Sequence, residues 1–501
     1  MNELELEDEE YIDEDEGAVF DDDIASQRID KLPKLIDEFV TDCDKIVKYN
    51  SKPSALMFLT LLGQTVKDFV AIPNGTGFHE DSRLHFCWIQ TSGTGKSALM
   101  NFVLPISEKI WQGINELEGY RPHELVPEHE PYEAYDNFDV VEYTAAALLG
   151  HQNPVKDEDG EDTFHWMKGE LDGNGLARWD EFTNSGVFDS KNQHKEGIVT
   201  YLNTMMNTIH GKSWKISKKL LNGPKCDTLS QRSIIAATFP PKHFEHTIAD
   251  TGLFQRMLLY IWEVPEAIQD SIRDSIVDNF GRLREEKLPI DKYANDFLKI
   301  YELTKARCDE VGDSAKTVSF SSDYTIALQQ AKNALNSLPN TTSGQVRDIA
   351  KNFLTRLIIT LGKISVLCCL AETTSRTKAT RFIVTGENVV QAREIVHNCY
   401  KSLVEWLELS LKVNKATLMK KAENQLFFTT FDKLEKVTYE YEKDGEKFTE
   451  HGYVRKNELF NAVMKEGRIS KPQLYVRWRK VENEFITKTD GRTKLVKKIG
   501  E

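Results

Sequence analysis

The chain has 501 residues, 40% of them hydrophobic and 29% charged, with a net charge of -15 and a mean hydropathy of -0.46. That length exceeds one ordinary core, so two or three domains of a soluble globular protein are expected. The acidic balance argues against a surface coated in basic residues. It leaves nucleic acid open as a partner, because the charge is unevenly spread.

No apolar run looks long enough to span a bilayer, and no membrane partner is expected. The acidic N-terminus does not read as a signal peptide. The seven cysteines show no C-x-x-C pair and no zinc spacing, so they read as reduced, buried thiols of a cytoplasmic protein.

Residues 1–25 form an acidic tail with no Lys or Arg before Gln27, a composition that predicts disorder. Two readings stand: a solubilising tail, or a segment that binds another replication protein or mimics DNA. Residues 26–80 read as a helical collar, from Leu32, Leu35, Ile36, Phe39 and Val40 and then from an apolar run over 56–70.

Next comes a short apolar run, Phe86-Cys87-Trp88-Ile89, followed by Gln90-Thr91-Ser92-Gly93-Thr94-Gly95-Lys96-Ser97-Ala98 and a helical pattern over 98–117. Strand, glycine-rich loop and helix make a phosphate-binding site. Gly93 and Gly95 let backbone N–H groups turn inward, and the helix start adds its positive dipole end. Lys96 suits the β/γ-phosphates of ATP and the Ser97 hydroxyl suits Mg²⁺. Gln90 stands where the motif usually has its first glycine. Ser92, Gly93, Thr94, Gly95, Lys96, Ser97 and Ala98 are the expected nucleotide contacts.

Residues 120–139 read as loop or insertion, 140–150 as a strand and a short helix, and 157–162 as an acidic turn. The stretch 175–182 is a mostly apolar strand ending in Asp180-Glu181, with Arg178 interrupting it. Asp180 suits the metal and Glu181 suits polarising the attacking water. The run 211–228, with Asn222-Gly223 inside it, predicts a β-hairpin that carries Lys215, Lys218 and Lys219. It is either a solvated basic edge or a DNA contact. Thr238 ends the buried strand 233–238, where a polar group can sense the γ-phosphate. Arg256 precedes another apolar strand. It is either a surface ion-pair residue or an arginine finger for a neighbouring subunit.

Residues 324–413 are helical in pattern, a lid in which Arg347 and Arg356 are candidate phosphate contacts. Near the C-terminus, helices over 456–465 and 471–481 and a hairpin over 485–499 predict a winged helix. Ser470 caps its second helix, and Arg477, Arg479 and Lys480 lie on that helix. These residues suit duplex or forked DNA, although a protein-docking winged helix has the same outline.

In this order the motifs resemble the AAA+ ATPase core of the minichromosome maintenance helicases, and of similar phage and plasmid helicase-like ATPases. The likeness runs over 86–409. It is carried by Ser92 to Ser97, by Asp180-Glu181-Phe182, by 216–237 and by 252–258, with weaker support from Arg356-Leu357, Lys363 and 384–392. Nothing matches that family's N-terminal zinc-bearing collar, and Thr238 stands where an asparagine is usual.

The resemblance implies an α/β fold: a three-layer P-loop NTPase core (81–265) with a helical N-terminal collar (26–80), a helical lid (266–413) and a C-terminal winged helix (414–501). It implies a viral or mobile-element DNA helicase, a ring homo-oligomer, hexameric by analogy, that hydrolyses ATP with Mg²⁺ on single-stranded or forked DNA. Lys96, Glu181, Thr238 and Arg256 would be catalytic. Arg347 would join the nucleotide contacts, and Ser97 and Asp180 would serve the metal. The other reading is an ATP-switched replication initiator or helicase loader without processive unwinding.

Overall fold

The computed structural model describes residues 29–126, 130, 132–140, 144–156, 162–182, 198–209, 216–219, 225–228, 230–239, 252–280, 287–342, 344–375, 381–443, 446–467, 470–482, 485–490 and 493–498. The acidic tail 1–25, Lys215 and the turn with Asn222-Gly223 lie outside the described residues, as do the side chains of Lys218, Lys219 and Lys480. The chain divides into two compact units, Met1–Glu408 and Leu409–Glu501.

The first unit opens with helix α1 (Lys34–Ile46), which buries Leu35, Ile36, Phe39, Val40, Cys43 and Ile46 on one face. Helix α2 (Ser51–Val66) is apolar nearly all round and buried along its whole length, as a central core helix must be. Two short antiparallel strands, Ala71–Pro73 and His79–Asp81, close the region around the turn at 74–77.

A five-stranded parallel sheet follows. Its strands are β1 (Phe86–Gln90), β2 (Tyr135–Val140), β3 (Asn174–Trp179), β4 (Ser233–Thr238) and β5 (Leu258–Trp262), arranged β5-β1-β4-β3-β2. The strands β1 and β4 are apolar and wholly buried, as strands covered on both faces are. Helix α3 (Lys96–Glu118) leads away from β1. The fold is thus mixed α/β with a central parallel sheet.

Strand β2 corrects the expectation of a loop over 120–139. Asp136, Asn137 and Asp139 are poor strand formers, but they sit on a sheet edge and each has a partner. Asp136 pairs with Arg232, Asn137 accepts from Trp111 at 2.7 Å, and Asp139 binds Arg178 at 2.6 Å. This last pair also explains the arginine in an otherwise apolar β3.

Between β2 and β3, Gly150–Lys156 pairs antiparallel with Asp162–Lys168, and residues 157–161 of the expected acidic turn lie outside the described residues. Before β4, Ile216–Lys219 pairs antiparallel with Lys225–Thr228, in the region where the alternating pattern predicts a hairpin. Helices α4 (Glu266–Asn279), α5 (Ile290–Val311), α6 (Tyr324–Ser337), α7 (Gly344–Ala371) and α8 (Gly386–Lys433) complete the order; α8 belongs to this unit as far as Glu408. Phe39, Phe58, Tyr293 and Phe297 form an aromatic cluster joining α1, α2 and α5. Contrary to expectation, α7 is long and apolar enough to cross a bilayer; Phe353, Leu357, Leu361 and Ile364 are among its buried residues.

The second unit contains a four-stranded antiparallel sheet of β6 (Val437–Lys443), β7 (Glu446–Arg455), β8 (Phe485–Asp490) and β9 (Thr493–Lys498), in the order β6-β7-β9-β8. Helices α9 (Lys456–Gly467) and α10 (Lys471–Val481) pack on a core that includes Phe427, Leu459, Trp478, Phe485 and Val496. At the start of α10 the Ser470 backbone N–H donates to Gln473 Oε1 at 2.9 Å, half of a capping box.

Candidate functional site

Parallel pairing puts the C-terminal ends of β1, β4 and β3 side by side, since Ile89 pairs with Thr238 and Ala236 with Trp179. The loop 91–95 leaves β1 at that edge. Gly93 (φ 76°) and Gly95 (φ 91°) adopt left-handed backbone, which the turn into α3 requires. At Gly95 space matters as well: a Cβ there would lie 2.5 Å from Val47 Cγ1.

A cavity of about 440 Å³ opens over this edge. Ser92, Gly93, Thr94, Gly95, Lys96, Ser97 and Ala98 line one side, and Asp180, Glu181, Thr238 and Phe239 line the next. The sequence brought no attention to the opposite walls. They come from the α1–α2 junction, with Val47 and Tyr49, and from α4, with Ser271, Ile272 and Ile276. Tyr49 Oη and Ser271 Oγ are 3.2 Å apart, which links the two walls.

Lys96 folds onto the loop itself. Its Nζ donates to the carbonyls of Gln90 at 2.7 Å and Thr91 at 2.9 Å. Partial burial lowers its pKa to about 8, while Asp180 and Glu181 pull the other way. Ser97 Oγ donates to Asp180 Oδ2 at 3.0 Å. Thr94 is buried, and its hydroxyl donates to the Thr91 carbonyl at 2.6 Å, so that hydroxyl is already engaged within the loop.

Glu181 has a φ of 50°, rare for a residue with a side chain and costing on the order of 1 kcal/mol. Its neighbour enforces the turn. Phe182 is buried against Trp179 and Phe254, and its N–H donates to the Ala237 carbonyl at 2.9 Å. The exposed Glu181 side chain is thereby left at the cavity mouth. Thr238 is buried at the end of β4, with Oγ1 3.3 Å from the Phe239 carbonyl.

Two expected residues are elsewhere. Arg256 lies two residues before the first residue of β5, at the N-terminal edge of the sheet. There the Leu258 N–H donates to the His85 carbonyl at 2.7 Å. Five residues of strand separate the two edges, about 16 Å. Its guanidinium donates to Asn203 Oδ1 at 3.2 Å and to the Gly252 carbonyl at 3.0 Å. Burial and the nearby Arg356 both disfavour its charge, and the two arginines line one small pocket. Arg347 turns onto the carbonyls of Thr342 at 3.1 Å and Asn340 at 3.4 Å, and it does not line the cavity. On α10, Arg477 is half-buried and Arg479 exposed. No protein-family model matches the chain, and no curated protein matches it.

Proposed function

We propose that the cavity binds and hydrolyses ATP, and that the chain is a ring-forming AAA+ motor acting on single-stranded or forked DNA in the replication of a virus or mobile element. One observation carries the reading. Lys96, Ser97, Asp180, Glu181 and Thr238 converge on one cavity from the ends of three neighbouring parallel strands. The crevice outside the carboxyl ends of such strands is where α/β sheets bind ligands. The strand order, with the phosphate loop on β1 between β5 and β4, fits a P-loop core of the AAA+ type.

In this reading Lys96 leaves the loop carbonyls to meet the β/γ-phosphates. Glu181 orients the attacking water and Thr238 contacts the γ-phosphate. Ser97 and Asp180 offer two hard oxygens close together, a donor set that fits Mg²⁺ carried in on the nucleotide with most of its waters. Such an ion neutralises charge on the phosphates. Among the described residues no three His, Cys, Asp or Glu side chains form a metal-holding group of their own.

Arg256 faces away from its own cavity, which supports a role at a neighbour's site, with Arg356 beside it. The hairpin 216–228 and the helix α10 are the DNA-contacting elements of the proposal, through Lys218, Lys219, Arg477 and Arg479.

The test is ATPase rate with and without single-stranded DNA, paired with strand displacement on a forked duplex, for wild type and Glu181→Gln. A motor shows DNA-stimulated turnover and unwinding, both lost in the variant. Slow hydrolysis without unwinding, with ATP-dependent DNA binding kept by Glu181→Gln, identifies an initiator or loader.

A further inference from the structure

We propose that Gln90 and Asn50 are positioning residues of the phosphate loop, acting as one buried amide relay that holds the loop in its binding form before a nucleotide arrives. The inference rests on the nucleotide-site reading of the cavity. Gln90 and Asn50 are each 1% exposed and Thr94 is 2% exposed. Gln90 Oε1 accepts from the Trp88 indole N–H at 2.7 Å. Its Nε2 donates to Asn50 Oδ1 at 3.0 Å and to Thr94 Oγ1 at 2.9 Å. Asn50 Nδ2 in turn donates to the carbonyls of Lys48 at 3.0 Å and Thr94 at 3.3 Å.

The orientation of both amides follows from one group. An indole N–H can only donate, so Gln90 must turn its oxygen there and its nitrogen toward Asn50. Asn50 must then present its oxygen to Gln90 and its nitrogen to the two carbonyls. All four polar atoms are satisfied, and a buried network with one consistent direction is stiff.

Asn50 also occupies the N-cap position of α2, yet its side chain makes no capping bond. Its amide is directed to the loop instead. Both residues therefore act on the same stretch of backbone. Gln90 and Thr91 present the carbonyls on which Lys96 rests until a nucleotide draws it away, and Thr94 precedes the glycine that packs on Val47. The relay joins the phosphate loop to the cavity wall at Val47–Tyr49, so the two behave as one piece.

The experiment uses the full chain and a fluorescent ATP analogue, with Mg²⁺, for wild type, Lys96→Ala, Gln90→Met, Asn50→Leu and the double variant. Met and Leu keep the approximate heavy-atom outline of Gln and Asn and remove the hydrogen bonds. Each single variant is expected to raise Kd about tenfold with kcat within about twofold. The double variant is expected to fall short of the product, because the two side chains form one network. Thr94→Val is expected to weaken binding, and Thr94→Ser to bind as wild type does.

Equal Kd for wild type, Gln90→Met and Asn50→Leu, with Lys96→Ala deficient, overturns the relay and leaves the nucleotide site standing. A wild type that binds no nucleotide overturns both. Loss of kcat in step with a lowered Tm, with Thr94→Val like wild type, makes the amides merely structural and also overturns the relay.

Discussion

Ser97 Oγ and Asp180 Oδ2 lie 3.0 Å apart across 83 residues of sequence, so the start of α3 and the end of β3 meet at one hydrogen bond. On the proposed reading, this contact brings together the two oxygens that would serve a nucleotide-bound Mg²⁺. Asp180→Asn is expected to lower hydrolysis about a hundredfold while leaving metal-free nucleotide binding intact. Ser97→Ala is expected to remove most of the gain in affinity that Mg²⁺ confers. Titrations of nucleotide with Mg²⁺ and with EDTA check both.

Lys96 titrates in an accessible range. Its pKa in the folded chain is lowered to about 8, chiefly by burial. Below that pH the ammonium is charged and attracts phosphate; above it the amine is neutral. Nucleotide affinity is therefore expected to be full at pH 7 and to fall as pH rises through about 8. Bound phosphate favours the charged form and shifts the midpoint upward. Lys96→Arg, charged throughout, is expected to give a flatter profile. Kd measured from pH 6.5 to 9.5 decides it.

Arg256 cannot serve the cavity of its own chain, because it lies at the other edge of the sheet. If Arg256 completes a neighbouring subunit's site, Arg256→Ala should bind nucleotide normally and lose hydrolysis about a thousandfold. Mixing it with inactive Glu181→Gln is expected to restore activity, since intact cavities then meet intact arginines. Titration of one variant against the other at fixed total protein gives the result.

Lys218 sits on the strand Ile216–Lys219 of the hairpin before β4. If the hairpin grips phosphates, Lys218→Ala should weaken DNA binding without regard to sequence. It should also lower the slope of log K against log salt by about 1. An unchanged slope returns the hairpin to a solvated basic edge. Binding isotherms at four salt concentrations are enough.

Asp81 and Arg83 form a buried ion pair at 3.1 Å, with the Ile209 N–H donating to the same carboxylate at 2.8 Å. The guanidinium and the nearby Lys363 hold the Asp81 carboxyl far below the usual range, against the opposing effect of burial. Asp81→Ala leaves a buried guanidinium without its partner and is expected to cost about 3–5 kcal/mol. Urea unfolding checks it.

The strand, glycine-rich turn and helix over 86–118 were legible because their residues are contiguous and obey a local rule of their own. The same is true of the Asp180-Glu181 strand end. Strand β2 was not legible, because Asp136, Asn137 and Asp139 owe their place to partners distant in sequence. The α4 wall, with Ser271 and Ile276, carries no local signal at all; only the path of the chain after β5 puts it at the cavity. Gln90 was visible merely as a departure from a motif. Its use depends on Trp88 two residues earlier and Asn50 forty residues earlier, a combination that no single window of sequence contains.

The place of β1 in the sheet also has a consequence in time. It is paired on both sides, by β5 and β4, and all five of its residues are buried. Amides so enclosed exchange with solvent only when the whole unit opens, whereas edge strands exchange through cheaper local openings. The backbone N–H groups of Cys87, Trp88 and Ile89 are thus expected among the slowest to take up deuterium, and those of β2 well before them. The strand from which the loop 91–95 springs belongs to the last part of the unit to come apart.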